Sequence, residues 1–413
     1  MYDNEIKKEK VLLVSIDTGE YDAQSSLLEL SELVKTANGD PVFTVLQKRE
    51  KPDFATCIGS GRLEEMKNIC ENYDIDLIVF DCELTPTQIR NLENYTNLRV
   101  IDRTMLILDI FALRAKSKEG KLQVELAQLK YMLPRLSGKG ASLSRLGGGI
   151  GTRGPGETKL ETDKRHIRER MQYLKEKIGE IEKQRSSLRK RRKKDGFVTV
   201  AIVGYTNAGK STLMNTLTKA GVLAEDKLFA TLDPSSKILT LENGVKVIVI
   251  DTVGFIRRLP HHLVEAFKST LEEAALADII LNVCDSSNPE AKLHLDVTRE
   301  LLLSLGCMNK PIINVMNKYD LIASQDNLAG SMNVVMVSAK DGYGIHELLK
   351  AIENNLPFKM VDRKYLFDFK NVGKAEILRK NGNIKSEEYI DSGLLIEAIV
   401  EERISNMLSE FIV

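Results

Sequence analysis

The sequence predicts an α/β protein: a P-loop nucleotide-binding domain on a doubly wound parallel sheet, an N-terminal α/β domain, an antiparallel helical hairpin and a small C-terminal domain. Three observations carry this. Residues 204–212 read Gly-Tyr-Thr-Asn-Ala-Gly-Lys-Ser-Thr, a complete phosphate-binding loop between an apolar, β-rich run and a helix pattern. The first hundred residues alternate short apolar runs with amphipathic segments, the pattern of a parallel sheet. Between these lies a long segment whose apolar residues recur at alternating spacings of four and three. At 413 residues, 43% hydrophobic and 29% charged, the chain can form two or three cored domains.

The N-terminal domain is expected over residues 1–115, with strands at 10–16, 42–46, 77–80 and 98–101 and helices near 24–38, 60–73 and 86–95. Gly59-Ser-Gly61 precedes a helix and reads better as a turn than as a second phosphate site. Asp17, Asp81 and Asp102 fall at strand ends, but no partner His or Cys completes a metal or catalytic set. The five cysteines show no metal spacing and fit a reducing cytosol.

The hairpin is expected over 116–195. Positions 160, 164, 167, 171, 174, 178, 181, 185 and 188 form a heptad stripe, apolar at seven of the nine, with Lys164 and Arg185 the exceptions. Leu122, Leu126, Leu129 and Leu133 carry the same spacing upstream. A narrow seam must be buried, and two helices joined by one loop bury it as an antiparallel pair. The tip loop, 137–157, holds eight glycines and the basic Lys139, Arg145 and Arg153. Between Lys164 and Lys194 there are 14 Lys or Arg and four Glu, closed by Arg189, Lys190, Arg191 and Arg192, in a chain with 59 basic and 59 acidic residues overall. That asymmetry predicts a rod whose arginines and lysines meet RNA phosphates. No aromatic residue interleaves the tip, so base stacking is not its source of affinity.

The nucleotide domain is expected over 196–357. Strand 197–203 leads into the loop Gly204, Tyr205, Thr206, Asn207, Ala208, Gly209, Lys210, Ser211 and Thr212, and a helix follows to Lys219. In that context backbone N–H groups and a helix N-terminus hold a triphosphate. Lys210 reaches the β- and γ-phosphates and the Ser211 hydroxyl ligates Mg²⁺. Strand 245–250 ends in Asp251, Thr252, Val253 and Gly254, placing Asp251 to hold Mg²⁺ through water and the Gly254 N–H at the γ-phosphate. Strand 311–316 ends in Asn317, Lys318 and Asp320, a carboxylate position that accepts from guanine N1–H and its 2-amino group. Ser338, Ala339 and Lys340 place a backbone turn at guanine O6. The segment 227–234 carries Phe229, Ala230, Thr231, Leu232 and Asp233, with Thr231 expected to close over Mg²⁺. Lys210, Thr231 and Gly254 form the expected catalytic set. After Lys340 a helix to about Asn355 closes this domain, and 358–413 form a small α/β or β domain with a turn at 380–383.

Together the runs 204–212, 229–234, 251–255 and 317–320, with Val100 to Thr104, Leu106 to Ala112, Glu119 to Gln128, Leu133 to Leu136 and Gly147 to Glu157, resemble the HflX family of GTPases over roughly residues 10–345. The resemblance implies GTP hydrolysis to GDP and phosphate, and binding to the large ribosomal subunit and its rRNA. It also implies subunit splitting or rescue under stress; the chain itself is expected to be a monomer. Cytoplasmic location, with loose attachment to ribosome or membrane, follows with it. No apolar run reaches membrane-span length and no signal peptide opens the chain.

Phe255 stands where many GTPases orient the attacking water with a glutamine, so hydrolysis is expected to be slow until a partner acts. Asn207 resembles the loop asparagine of GTPases that hold K⁺ as an activating cation. Two rival readings fit the same features: a nucleotide-driven RNA remodeller, and a GTP-switched module whose coiled coil recruits a protein.

Overall fold

In the computed structural model, residues 8–138, 159–194, 196–218, 228–229, 231–258, 263, 268–322 and 334–413 are described. They form two compact units. The first holds the described residues up to Ser186 together with those of 225–233 and 258–269. The second holds Ser187 onward apart from those two segments. The expected tip loop, with Lys139, Arg145 and Arg153, lies outside the described residues, as does Ala230.

In the first unit, β1 (Lys10–Asp17), β2 (Asp40–Lys48), β3 (Leu77–Phe80) and β4 (Arg99–Asp102) make a parallel sheet of order β2-β1-β3-β4. The helices α1 (Ala23–Thr36), α2 (Ser60–Tyr73) and α3 (Pro86–Thr96) connect them. Asp22 caps α1 and Thr85 forms a capping box with Gln88 at α3, satisfying the orphan N–H groups of each first turn. β1 is buried from Val11 to Ile16 and β3 throughout, as a strand covered on both faces requires. Gly59 caps the start of α2 and donates its N–H to Gln47 Oε1 at 2.9 Å, so the Gly-Ser-Gly run is the N-cap and first residues of that helix rather than the expected turn.

α4 (Arg103–Arg114) follows β4 directly, an element that the spacing of apolar residues did not predict. Its run Leu106–Phe111 is buried on more than one face. The helices α5 (Lys118–Met132) and α6 (Lys159–Lys194) occupy the expected hairpin segments. Arg185 pairs with Glu119 and Arg170 with Glu125, an antiparallel order. The seam differs from the expected one. The buried face of α5 is Gly120, Val124, Ala127 and Tyr131, and the leucines at 122, 126 and 129 are only half-buried. On α6, Leu174 is fully buried while Leu188 is exposed. The small side chains at 120 and 127 let α5 approach its neighbours closely, which a leucine stripe would prevent.

In the second unit, β5 (Val198–Gly204), β6 (Ser235–Thr240), β7 (Lys246–Asp251), β8 (Ile279–Asp285), β9 (Ile312–Asn317) and β10 (Val334–Met336) form a sheet of order β10-β9-β8-β5-β7-β6. The helices are α7 (Lys210–Thr218), α8 (Lys268–Leu276), α9 (Ala291–Ser304) and α10 (Ile345–Asn354). The sheet is mixed, because β6 pairs antiparallel with β7; the other five strands are parallel. Its half-exposed outer edge explains why β6 reads weakly in sequence. β5 lies between β7 and β8, so chain order reverses there and the crevice beyond its C-terminal end is the expected ligand position.

The C-terminal segment is an antiparallel sheet of order β11-β13-β12, from β11 (Met360–Phe367), β12 (Gly382–Ile390) and β13 (Gly393–Glu401), with α11 (Ala375–Asn381) and α12 (Glu402–Met407). Tyr365, Phe367, Leu378, Leu394, Ile396, Ala398 and Val400 fill its core. The expected turn at 380–383 is instead the direct junction of α11 and β12.

Candidate nucleotide site

β5 ends at Gly204, whose φ of 147° is open only to glycine and whose Cβ would strike the Val283 carbonyl of β8. The loop then returns through Asn207 (φ 61°) and Gly209 (φ 87°) to α7. Lys210 is 7% exposed and donates from Nζ to the Tyr205 carbonyl at 2.8 Å. Burial pushes its ammonium down to about 8, offset by the charge of Asp251. A buried cation held chiefly by one carbonyl favours an incoming anion. The Thr206 hydroxyl is also buried, with no hydrogen-bond partner among the described residues.

Ser211 Oγ donates to Asp251 Oδ2 at 2.7 Å, so the two expected Mg²⁺ groups are adjacent. Thr252 donates from Oγ1 to the Ile202 carbonyl at 2.7 Å, and Val253 is buried. The chain from β7 runs against the phosphate loop: the Thr206 N–H bonds the Phe255 carbonyl at 2.8 Å, and the Phe255 N–H bonds the Gly204 carbonyl at 3.1 Å. A Cβ on Gly254 would sit 2.7 Å from Thr206 Cγ2 and 2.9 Å from Lys210 Nζ, so only glycine allows that approach. A hydroxyl and carboxylate in hydrogen-bond contact beside a buried lysine suit a hard cation bound with phosphate. Among the described residues no group of three or more His, Cys, Asp or Glu forms a metal cluster of its own.

Asn317 links the loops. Its Nδ2 donates to the Ala208 carbonyl at 2.9 Å and its Oδ1 accepts from the Ala339 N–H at 3.0 Å. Lys318, at φ 62°, pairs with Asp285 at 2.8 Å. Ser338 Oγ donates to Asp320 Oδ1 at 2.8 Å, and Lys340 is exposed. Thr212 is half-buried in the first turn of α7. Asn207 is exposed.

Phe255 is buried. Its neighbours are residues the spacing of motifs did not reveal. The Tyr205 ring stacks on His294 with centroids 3.8 Å apart, and the Tyr205 hydroxyl accepts from the Arg257 N–H at 2.8 Å. Arg257 pairs with Glu290. Burial, and then the Arg257 charge, push the His294 imidazole down to about 4. His294 and Glu290 come from α9 and its approach, far along the chain, and only Tyr205 carried a motif signal.

The segment 228–233 belongs to the first unit, Thr231 and the buried Leu232 included. Two of its residues are engaged in ways the sequence reading did not anticipate. Phe229 is buried edge-on against Phe111 at 4.8 Å. The Asp233 carboxylate accepts from the N–H of Lys116 at 2.8 Å, from the N–H of Ser117 at 2.7 Å and from the Ser117 hydroxyl, at the N-terminus of α5. In this arrangement those two side chains serve packing and capping. Arg189 pairs with Glu273 at 2.8 Å and Glu272 at 3.6 Å. Lys190 is exposed, Arg191 is exposed and Arg192 half-buried.

Family profiles described as GTP-binding GTPase N-terminal, GTP-binding GTPase Middle Region and 50S ribosome-binding GTPase match residues 24–112, 114–192 and 199–318. The GTPase HflX of Caldanaerobacter subterraneus subsp. tengcongensis is 49% identical over 406 residues, covering 98% of this chain and 94% of that one. That of Lacrimispora saccharolytica is also 49% identical over 406 residues, covering 98% and 96%. The Escherichia coli GTPase HflX is 40% identical over 361 residues, covering 86% and 85%. No described helix is long and apolar enough to cross a membrane.

Proposed function

The chain belongs to the HflX family of GTPases and hydrolyses GTP, and from that premise we propose a ribosome-associated factor whose GTP cycle governs docking of its basic helix on large-subunit RNA. The observation that supports the RNA reading is α6 itself. It is a 36-residue helix, highly basic toward its C-terminus, in a chain of zero net charge. The profile over 199–318, described as a 50S ribosome-binding GTPase, favours the large subunit as its target. Splitting of subunits or rescue under stress is the outcome that the family resemblance suggests.

At the site, Lys210 would bind the β- and γ-phosphates, with Thr206 and the loop N–H groups around them. Ser211 would hold Mg²⁺, Asp251 would do so through water, and Thr231 would join when the γ-phosphate is present. Bound there, Mg²⁺ would neutralise phosphate charge as the γ-phosphoryl group leaves. The Gly254 N–H would face the γ-phosphate. Asp320 would read guanine, with its backbone turn at 338–340 fixed by Ser338 and Asn317. Asn207 is the candidate K⁺ ligand. Phe255 cannot bond a water, so the partner supplies what this chain lacks at that position.

The test is GTP hydrolysis with and without purified large subunits, in K⁺ and in Na⁺ buffer, beside a chain lacking residues 137–157 and the Lys210→Ala variant. Stimulation of at least tenfold is expected, lost with the deletion, higher in K⁺, and absent from Lys210→Ala. No stimulation by large subunits would defeat the ribosome reading. Equal rates in the two salts would remove K⁺ alone.

A further inference from the structure

Cys57 and Cys82 lie with their sulfurs 3.4 Å apart, the one sulfur–sulfur contact among the described residues. Cys57 closes the tight loop before α2. Its N–H and carbonyl both bond Asp53, at 3.0 and 2.7 Å, and its φ is 68°. Cys82 follows β3 and is half-buried, so a small oxidant has access to one sulfur of the pair. A disulfide holds its sulfurs about 2.05 Å apart, so closure needs an approach of little more than about 1 Å.

What makes this pair more than packing is its neighbour. Asp81 is 1% exposed and sits beside Cys82 in the chain. Its carboxylate gathers Arg103 at 2.9 Å, Ser15 at 3.3 Å and Arg258 at 2.7 Å. Arg258 also donates to the Asp81 carbonyl at 2.8 Å and to Ser26 Oγ at 2.9 Å, and its guanidinium lies 3.9 Å over the Tyr21 ring. Arg258 is four residues beyond Gly254, at the end of the segment that lines the phosphate loop. Cys82 is thus one residue from the carboxylate that Arg258 bonds.

We propose that Cys57 and Cys82 form a reversible redox site, closed to a disulfide by a peroxide, and that closure resets the Asp81–Arg258 anchor and so changes the rate of GTP hydrolysis. One thiolate attacks a peroxide oxygen, the O–O bond breaks, and a sulfenic acid and one water result. The second sulfur displaces the hydroxyl, forming the S–S bond and a second water. The two cysteines lose two electrons and two protons together, and the peroxide takes up both. A dithiol reverses this by exchange. The bond to Cys57, and then burial, push the Cys82 thiol up, offset by Arg258. The regulatory half of the proposal rests on the GTPase reading; the disulfide half does not.

The test treats the full-length protein with hydrogen peroxide, blocks free thiols and maps peptides without reduction, with GTP hydrolysis measured before, after, and after dithiothreitol. The expected result is a Cys57–Cys82 crosslink, a fall in titratable thiols from five to three, and a rate shift of at least threefold that dithiothreitol restores. Cys57→Ser and Cys82→Ser should each prevent both changes. Five persisting thiols, or a crosslink between other cysteines, would overturn the site, and the unmutated protein alone decides this. A crosslink without a rate change would overturn the regulation and leave the site. A reduced protein with no GTP hydrolysis would instead strike the premise, with the crosslink still readable.

Discussion

His294 is a buried imidazole kept neutral, and its position behind Tyr205 gives the nucleotide domain a pH limit. Burial and Arg257 hold it down to about 4, against an unfolded value near 6.5. The unfolded chain then binds a proton between those values that the folded chain refuses. Stability is fully present above about pH 6.5 and falls as pH drops toward 4, by about 3 kcal/mol. Glu290 and Asp285 oppose the shift without cancelling it. The expected outcome is that His294→Gln loses less thermal midpoint between pH 7.5 and 4.5 than the unmutated chain. Parallel midpoint curves would refute the assignment. Residues of this kind show the limit of sequence reading. Lys210, Ser211, Asp251, Asn317 and Asp320 were legible, because each has a fixed offset from a strand end. His294, Arg257 and Arg258 were not, because what they do depends on partners as far as 33, 177 and 232 positions away.

The N-terminus of α5 shows two elements competing for one space. Gly120 sits in its first turn, where alanine would ordinarily add about 1 kcal/mol by helix propensity. A Cβ there, however, would strike the Asp233 carboxylate that bonds Lys116 and Ser117. Gly120→Ala is expected to lower the thermal midpoint and to speed proteolysis within 228–233. In an Asp233→Ala background the same change should stabilise. A gain in both backgrounds would mean the contact does not constrain Gly120. The elements themselves were largely legible where periodicity was strong: β1, β5, β7 and β9 lie within two residues of their expected runs. The helix α4 and strand β8 were missed because both are apolar on all sides, and a continuous apolar run has no period to read. The α5 seam was misread for the opposite reason, since its leucines have a clear period while its close packing uses Gly120 and Ala127.

For the molecule as a whole, charge is the readable quantity. The chain is neutral in sum, yet α6 concentrates basic residues toward its end. Lys190→Glu with Arg192→Glu should weaken binding to large subunits by at least tenfold in low salt. The same pair should reduce the slope of log affinity against log salt by about 2. An unchanged slope would favour the rival in which α6 recruits a protein. Arg189 is the wrong residue for this measurement, because its guanidinium already pairs with Glu273.

At 1.5 Å per residue, the 36 residues of α6 span about 54 Å. The helix ends at Lys194 and β5 begins at Val198, the strand that runs into Gly204. β5 is hydrogen-bonded on both edges, to β7 and β8, so it is a stiff base. The basic end of α6 is thus continuous in sequence, within three residues, with the strand that carries the root of the phosphate loop.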